Sequence, residues 1–177
     1  MPSNAQVYWV TGLPAAGKTT LALGLVQALK DAGRQAFALD GDELRRGLCA
    51  DLGLSKVDRS ENIRRAGEVA RLMAHAGITV VCAFVSPFEA DRQRVRALFG
   101  PSQFVEVFLS TSVTECARRD PKGLYAKAKA GQITGLTGWD GPYERPTHPE
   151  YIFDTERLCT DEMVQALLAT DGPPVSD

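Results

Sequence analysis

An eight-residue glycine-rich segment near the start of the chain limits the possible folds more than any other part of the sequence. Residues 12–19 read GLPAAGKT, which satisfies the pattern GxxxxGK followed by Ser or Thr. A short apolar run, residues 7–11, precedes the segment, and in residues 18–32 apolar side chains recur at helical spacing until Gly33. The segment therefore lies between a predicted strand and a predicted helix, which is the context of a phosphate-binding loop.

The residue types in this loop suit the phosphates of ATP and a magnesium ion. Glycines let the backbone approach phosphate closely, and N–H groups at the start of a helix supply positive potential. Lys18 can neutralise the β- and γ-phosphate oxygens, and the Thr19 hydroxyl can bind Mg²⁺. The alternative is a chance glycine turn with an exposed lysine. The ATP-binding residues predicted from this segment are Gly12, Leu13, Pro14, Ala15, Ala16, Gly17, Lys18, Thr19 and Thr20.

Strand and helix patterns alternate along the rest of the chain. The strands are predicted at residues 7–11, 35–39, 79–85, 104–109 and 151–153, and the helices at 18–32, 60–76, 88–98, 112–119 and 160–168, with Ser60 as an N-cap. This alternation predicts an α/β fold with a parallel sheet flanked by helices, in which ligands bind at the carboxyl ends of the strands. The pattern weakens over residues 120–146, where glycine, lysine and proline accumulate, and we expect a mobile lid there.

The composition predicts a single domain spanning residues 1–177, which the glycine-rich segment identifies as a P-loop domain, with a flexible tail at about 170–177. The chain has 177 residues, of which 44% are hydrophobic, enough for one substantial core. Its net charge of −2 provides no general attraction for nucleic acid or an anionic membrane. The four cysteines form no CxxC pair, and residues 1–6 are too short and polar for a signal peptide, so we expect reduced thiols and a cytoplasmic protein.

Two aspartates follow the second predicted strand. Asp40 and Asp42, separated by one glycine, can approach both the magnesium ion and the attacking hydroxyl. One would hold the metal or its water, and the other would orient the hydroxyl or accept its proton. The alternative is a turn with an N-cap for a helix beginning near Glu43. No aspartate ends the strand at 79–85, where many ATPases keep a metal-binding carboxylate, which adds weight to this pair.

Several separate blocks resemble adenylylsulfate kinases, over residues 7 to about 149. In addition to the phosphate-binding loop, they are LDGD at 39–42, DRSENIRR at 58–65, SPF and DR within 86–92, RDPKGLY at 119–125, GLTG at 135–138 and PYE at 142–144. The resemblance implies ATP-dependent phosphorylation of the ribose 3′-hydroxyl of adenylylsulfate, giving 3′-phosphoadenylylsulfate and ADP in sulfate assimilation. It also suggests a homodimer and a possible association with a sulfurylase.

The resemblance also implies roles for individual residues. The catalytic set is Lys18, Asp40, Asp42 and Ser86, and the metal set is Thr19 and Asp40. Arg119 or its neighbour Arg118 would lie against the ATP adenine. Ser86 matches a serine described as a possible phosphoserine intermediate, although direct transfer needs only positioning, and a hydrogen bond at the strand end is the alternative. The acceptor-binding set is Asp42, Arg45, Leu54, Arg59, Asn62, Val85, Ser86, Lys122, Gly135 and Leu136.

Two positions depart from the family pattern. Leu54 and Leu136 stand where family members usually carry phenylalanines that enclose the acceptor adenine. A kinase of a different nucleotide-linked acceptor is therefore the first alternative. A regulatory module that hydrolyses ATP slowly is the second. Such a module needs no second anion site, and the residues that argue against it are Asp42, Arg59, Asn62 and Lys122.

Overall fold

A five-stranded parallel sheet forms the centre of the computed structural model, which describes residues 5–169. Its strands are β1 (Val7–Gly12), β2 (Ala36–Asp40), β3 (Thr79–Ala83), β4 (Phe104–Leu109) and β5 (Tyr151–Phe153). Their order across the sheet is β2-β3-β1-β4-β5, and every pairing is parallel. The predicted α/β class is confirmed, and the carboxyl ends of all five strands meet at one edge, where β1 leads into the glycine-rich loop.

Helices cover both faces of the sheet. They are α1 (Lys18–Asp31), α2 (Gly41–Arg46), α3 (Lys56–His75), α4 (Glu89–Arg96), α5 (Val113–Arg119), α6 (Leu124–Lys129) and α7 (Thr160–Ala169). Tyr8 and Val10 of β1 pack in a cluster with α1 and α7, whereas Val7 and Trp9 pack with α3. The central strand is therefore buried on both faces, which explains its continuous apolar run.

The start of α3 differs from the sequence prediction. The helix begins at Lys56, and Ser55 caps it by accepting a hydrogen bond from the Asp58 N–H at 3.1 Å. The predicted N-cap, Ser60, lies inside the helix and donates to Asp91 Oδ2 at 2.7 Å. The prediction was wrong because Ser55, five residues earlier, already caps the first turn, so the helix starts before Ser60.

Residues 120–146 contain more buried contacts than their sequence pattern indicates. The short helix α6 lies within them, and Tyr125 and Leu136 join the same hydrophobic cluster as α1 and α7. That this segment opens as a lid stays a prediction. The tail predicted at 170–177 lies outside the described residues. No helix within residues 5–169 is long and apolar enough to cross a membrane, and their four cysteines are free thiols.

Candidate active site

The glycine-rich loop curls over its own lysine. A Cβ atom at Gly12 would lie 2.9 Å from the Leu109 carbonyl oxygen, and Gly17 has φ of +100°, so both positions require glycine. Lys18 Nζ donates to the Gly12 and Leu13 carbonyl oxygens at 3.0 and 2.7 Å. The lysine that is predicted to meet phosphate thus binds the loop backbone in this structure.

Enclosure of the Lys18 ammonium group changes its acidity. The side chain as a whole is partly exposed, but desolvation of the group at its end lowers the pKa to about 8. Cys116, Asp40 and Asp42 act in the opposite direction, whereas Lys122 lowers the pKa further. A bound polyphosphate would stabilise the charged form and raise this pKa.

The two predicted aspartates face different partners. Asp40 Oδ2 accepts from the Thr19 hydroxyl at 2.7 Å, and Asp40 Oδ1 caps α2 by accepting from the Asp42 N–H at 2.8 Å. Asp42 is exposed, and its carboxylate forms an ion pair with Lys122. The helix begins at Gly41 and not near Glu43, and its cap is Asp40, which also contacts the glycine-rich loop, while Asp42 points toward residues 120–146.

Thr19 and Asp40 are suitable ligands for magnesium. They place a hydroxyl and a carboxylate oxygen 2.7 Å apart, and hard oxygen ligands are those that Mg²⁺ prefers. Within residues 5–169, no group of three or more His, Cys, Asp or Glu side chains is arranged to hold a metal ion. A magnesium ion at this pair would therefore need phosphate oxygens and water to complete its coordination, as in nucleotide kinases.

Three predicted acceptor-binding residues lie around the start of α3. Arg45 Nη1 donates to the Gly53 carbonyl oxygen at 3.0 Å. Burial and the neighbouring Arg45 lower the pKa of Arg59. Asn62 lies one turn after Arg59 and is only 4% exposed, yet its Nδ2 has no hydrogen-bond partner among the described residues. A buried donor without a partner is costly, and an acceptor atom of a bound substrate would satisfy it.

The two leucines that replace the family's phenylalanines have different environments. Leu54 is 64% exposed, whereas Leu136 is 8% exposed and packs in the hydrophobic cluster of α1 and α7. Arg59 connects their loops, since Nε donates to the Leu54 carbonyl oxygen at 2.8 Å and Nη2 to that of Gly135 at 3.0 Å. Leu54 therefore has the free surface for a planar ligand, and Leu136 is largely committed to the core.

Ser86 lies in the loop after β3 with its hydroxyl turned inward. The residue is 2% exposed, its Oγ accepts from Trp9 Nε1 at 3.1 Å, and its φ is +38°. The preceding Val85 accepts at its carbonyl oxygen from the Thr11 hydroxyl at 2.7 Å. This packing favours the hydrogen-bonding role for Ser86, and a covalent role stays an untested prediction.

Arg119 is the arginine of the adjacent pair that faces the glycine-rich loop. Its guanidinium donates to Thr155 Oγ1 at 2.8 Å and to the Thr155 carbonyl oxygen at 3.0 Å, and Thr155 Oγ1 in turn donates to the Ala16 carbonyl oxygen at 3.2 Å. Arg118 instead extends into solvent and pairs with Glu115. Arg119 therefore lies beside the loop, and its contact with the ATP adenine stays a prediction.

Sequence reasoning missed the buried residue that joins two family blocks. Arg92 in α4 is wholly buried and donates to the Ser86 carbonyl oxygen at 2.6 Å and to that of Glu144 at 2.7 Å. It also lies 2.9 Å from Glu106, a buried carboxyl whose pKa is raised by burial. The signal in the sequence was that Arg92 and both segments that it contacts belong to the resemblance, but no role was predicted for Arg92.

The sheet order, the loop after the central strand and the charged residues at the strand ends place this chain among the P-loop kinases. A protein-family model described as "Adenylylsulphate kinase" matches residues 4–154. The chain belongs to the adenylylsulfate kinase family.

Individual relatives agree with this assignment. The chain is 53% identical over 161 residues to an adenylyl-sulfate kinase of Marinobacter nauticus, covering 91% of this chain and 81% of the relative. It is 54% identical over 166 residues to the corresponding protein of Shewanella denitrificans, covering 94% and 81%. The APS kinase CysC of Mycobacterium tuberculosis, solved in complex with AMPPNP and APS, is 43% identical, with a TM-score of 0.90 over 95% of this chain and 98% of that one.

Proposed function

We propose that this protein transfers the γ-phosphoryl group of ATP to the ribose 3′-hydroxyl of adenylylsulfate, giving 3′-phosphoadenylylsulfate and ADP. The observation that carries this proposal is a second charged site beside the phosphate-binding loop. In this site Asp42 pairs with Lys122, and Asn62 Nδ2 has no hydrogen-bond partner among the described residues. A kinase that acts on a bound anionic acceptor needs such a site. The curated relatives, which are 53 and 54% identical to this chain over the aligned residues, carry the matching name.

The residues around the glycine-rich loop form the donor side. Backbone N–H groups of the loop hold the phosphates, and Lys18 turns from the loop carbonyls to the β- and γ-phosphate oxygens. Thr19 and Asp40 would hold Mg²⁺, which neutralises charge on the transferred group when it is bound. Arg119 lies against the adenine of ATP.

Asp42 orients the attacking hydroxyl on the acceptor side and takes its proton. Its exposed carboxylate is separate from the Thr19–Asp40 pair, and Lys122 keeps a positive charge beside it. Arg45 and Arg59 bind the phosphosulfate, and Asn62 donates to the acceptor. Direct in-line transfer between two bound substrates needs no phosphorylated serine, which agrees with the buried position of Ser86.

The direct test is an acceptor panel with magnesium ATP. ADP release is followed by a coupled assay, and products by mass spectrometry, with adenylylsulfate, AMP, other 5′-nucleotide derivatives and no acceptor. We expect ADP release to depend on adenylylsulfate and the product to carry one phosphate at the 3′ position. Equal ADP release without acceptor would favour the slow ATPase, and much faster phosphorylation of another derivative would favour a different acceptor.

ATP binding should take up protons near pH 8.5. The pKa of Lys18 is about 8 in the free protein, and the nucleotide phosphates raise it. A lysine that is largely neutral before binding and charged after it must gain a proton, so uptake grows as pH rises above the free value. Calorimetry in buffers of different ionisation enthalpy directly measures the number of protons taken up on ATP binding. The variant Lys18→Met should show the uptake lost, and unchanged uptake would assign it to another group.

Leu54→Phe should strengthen acceptor binding. An aromatic face at this exposed position adds about 1–3 kcal/mol of base stacking, so KM for adenylylsulfate should fall about fivefold or more. Leu136→Phe should instead lower Tm, because the larger ring overpacks a buried site at a cost of about 1–3 kcal/mol. Leu72→Phe, on an exposed face of α3, is the matched control. An unchanged KM in Leu54→Phe would show that the adenine of the acceptor does not bind next to residue 54.

A homodimer and an association with a sulfurylase stay predictions from the family resemblance, and a cytoplasmic location stays a prediction from the sequence.

A further inference from the structure

Residues 135–141 form a compact loop, here called the bridging loop, that one carboxylate holds in shape. Asp140 accepts hydrogen bonds from the N–H groups of Gly135 and Leu136 at 2.8 and 2.7 Å. The Gly138 N–H donates to the Gly141 carbonyl oxygen, and the Gly141 N–H to that of Leu136, both at 2.9 Å. Removing the carboxylate would leave two backbone donors without their partner.

One side of the bridging loop presses on the phosphate-binding loop. Gly138 has φ of +82°, and a Cβ atom there would overlap the Leu13 side chain. Tyr125, whose ring meets Trp139 edge-on at 6.1 Å, donates its hydroxyl to the Pro14 carbonyl oxygen at 3.0 Å. The tip of the phosphate-binding loop, also called the donor loop below, is therefore covered by residues from the bridging loop and from α6.

The other side of the bridging loop receives Arg59. Arg59 Nη1 donates to Thr137 Oγ1 at 2.9 Å, and Nη2 donates to the Gly135 carbonyl oxygen at 3.0 Å. Thr137 is itself 2% exposed, so this contact is fixed by packing as well as by hydrogen bonds. The same seven residues thus touch the donor loop through Gly138 and the acceptor side through Thr137.

We propose that the bridging loop sets the distance between the donor loop and Arg59, and that Asp140 is its positioning residue. This inference rests on the proposed function. Phosphoryl transfer requires the reacting atoms to be about 3–3.5 Å apart, and a small displacement of one substrate lowers the rate severely. Leu13 lies in the proposed ATP site and Arg59 in the proposed acceptor site. The bridging loop contacts both residues and therefore fixes their relative position. Asp140 acts through the loop backbone and touches neither substrate.

Asp140→Asn tests this role, because the variant keeps the side-chain volume but replaces one acceptor oxygen with an NH₂ group that faces a backbone donor. We expect kcat/KM for adenylylsulfate to fall about tenfold or more. ATP affinity and acceptor-independent ATP hydrolysis should change by less than about twofold, since the donor residues remain. Asp161→Asn, an exposed change in α7, is the matched control. A purely structural role would instead lower Tm and reduce transfer and hydrolysis in parallel, and that result would overturn the inference.

A second pair of variants tests the contact with the donor loop. Gly138→Ala should displace Leu13 and reduce transfer, and Leu13→Ala in the same chain should recover part of the loss by removing the overlapping atoms. Additive effects of the two changes would overturn the proposed contact. Failure of the unmodified protein to phosphorylate adenylylsulfate would overturn the proposed function alone, and the same variants would then be measured with the acceptor that it does use.

Discussion

Lys18→Ala should lower the rate of phosphoryl transfer by about a thousandfold or more, because it removes the one side-chain charge of the loop that can reach the β- and γ-phosphates. In the free protein, this ammonium group is held by the Gly12 and Leu13 carbonyl oxygens. The ammonium group therefore forms hydrogen bonds with the loop backbone and none with a carboxylate. Steady-state kinetics with adenylylsulfate and magnesium ATP measure the loss.

The fold should survive this change. Lys18 is at the start of α1, and its desolvated ammonium group, with its lowered pKa, contributes little to stability. Circular dichroism and the thermal midpoint should therefore remain close to those of the unmodified protein. Lys30→Ala, an exposed lysine in the last turn of the same helix, is the control and should keep full activity. Turnover near the unmodified level in Lys18→Ala would overturn the assignment of the phosphate-binding loop.

Asp42→Asn should lower kcat by about a hundredfold or more and leave ATP binding nearly unchanged. The amide cannot take the proton of the attacking hydroxyl, and it loses the charge that pairs with Lys122. The backbone N–H of residue 42 still donates to Asp40, so the cap of α2 and the contact with Thr19 remain. The readouts are kcat and KM for each substrate, with ATP affinity measured separately by titration.

Glu43→Gln is the matched control for this second change. Glu43 is the next residue of α2, is exposed and has no role in the proposed mechanism, so its variant should behave like the unmodified protein. A fall in ATP affinity with unchanged kcat in Asp42→Asn would place the carboxylate on the donor side instead. Equal losses in both variants would indicate a general effect of charge at the start of α2.

The local structure of the glycine-rich loop could be predicted from sequence because its parts are contiguous. A strand, eight loop residues and a helix determine where Lys18 and Thr19 lie, and glycine is required at positions 12 and 17 for local steric reasons. The strand β4 (Phe104–Leu109) was likewise predicted at its observed bounds. Short-range pattern and turn chemistry suffice for such features.

The acceptor side was less predictable because its contacts join distant parts of the chain. Asp40 and Asp42 were recognised as a pair, but their separate partners, Thr19 and Lys122, come from opposite directions in the fold. Leu136 and Tyr125 lie in a segment with weak periodicity, yet tertiary packing buries them both. A local pattern carries no information about a neighbour that is many residues away, which is also why Arg92 was missed.

The two ends of residues 120–143 are attached to the rest of the molecule at independent points. Arg119, the last residue of α5, is held by Thr155, and after the segment Glu144 is held by the Pro87 carbonyl oxygen at 2.8 Å and by Arg92. Neither attachment uses a residue between 120 and 143. A chimaera that exchanges residues 120–143 with those of another kinase would therefore keep both of these end attachments, but the exchanged residues would have to supply the contacts that Tyr125 makes with Pro14 and that Thr137 makes with Arg59.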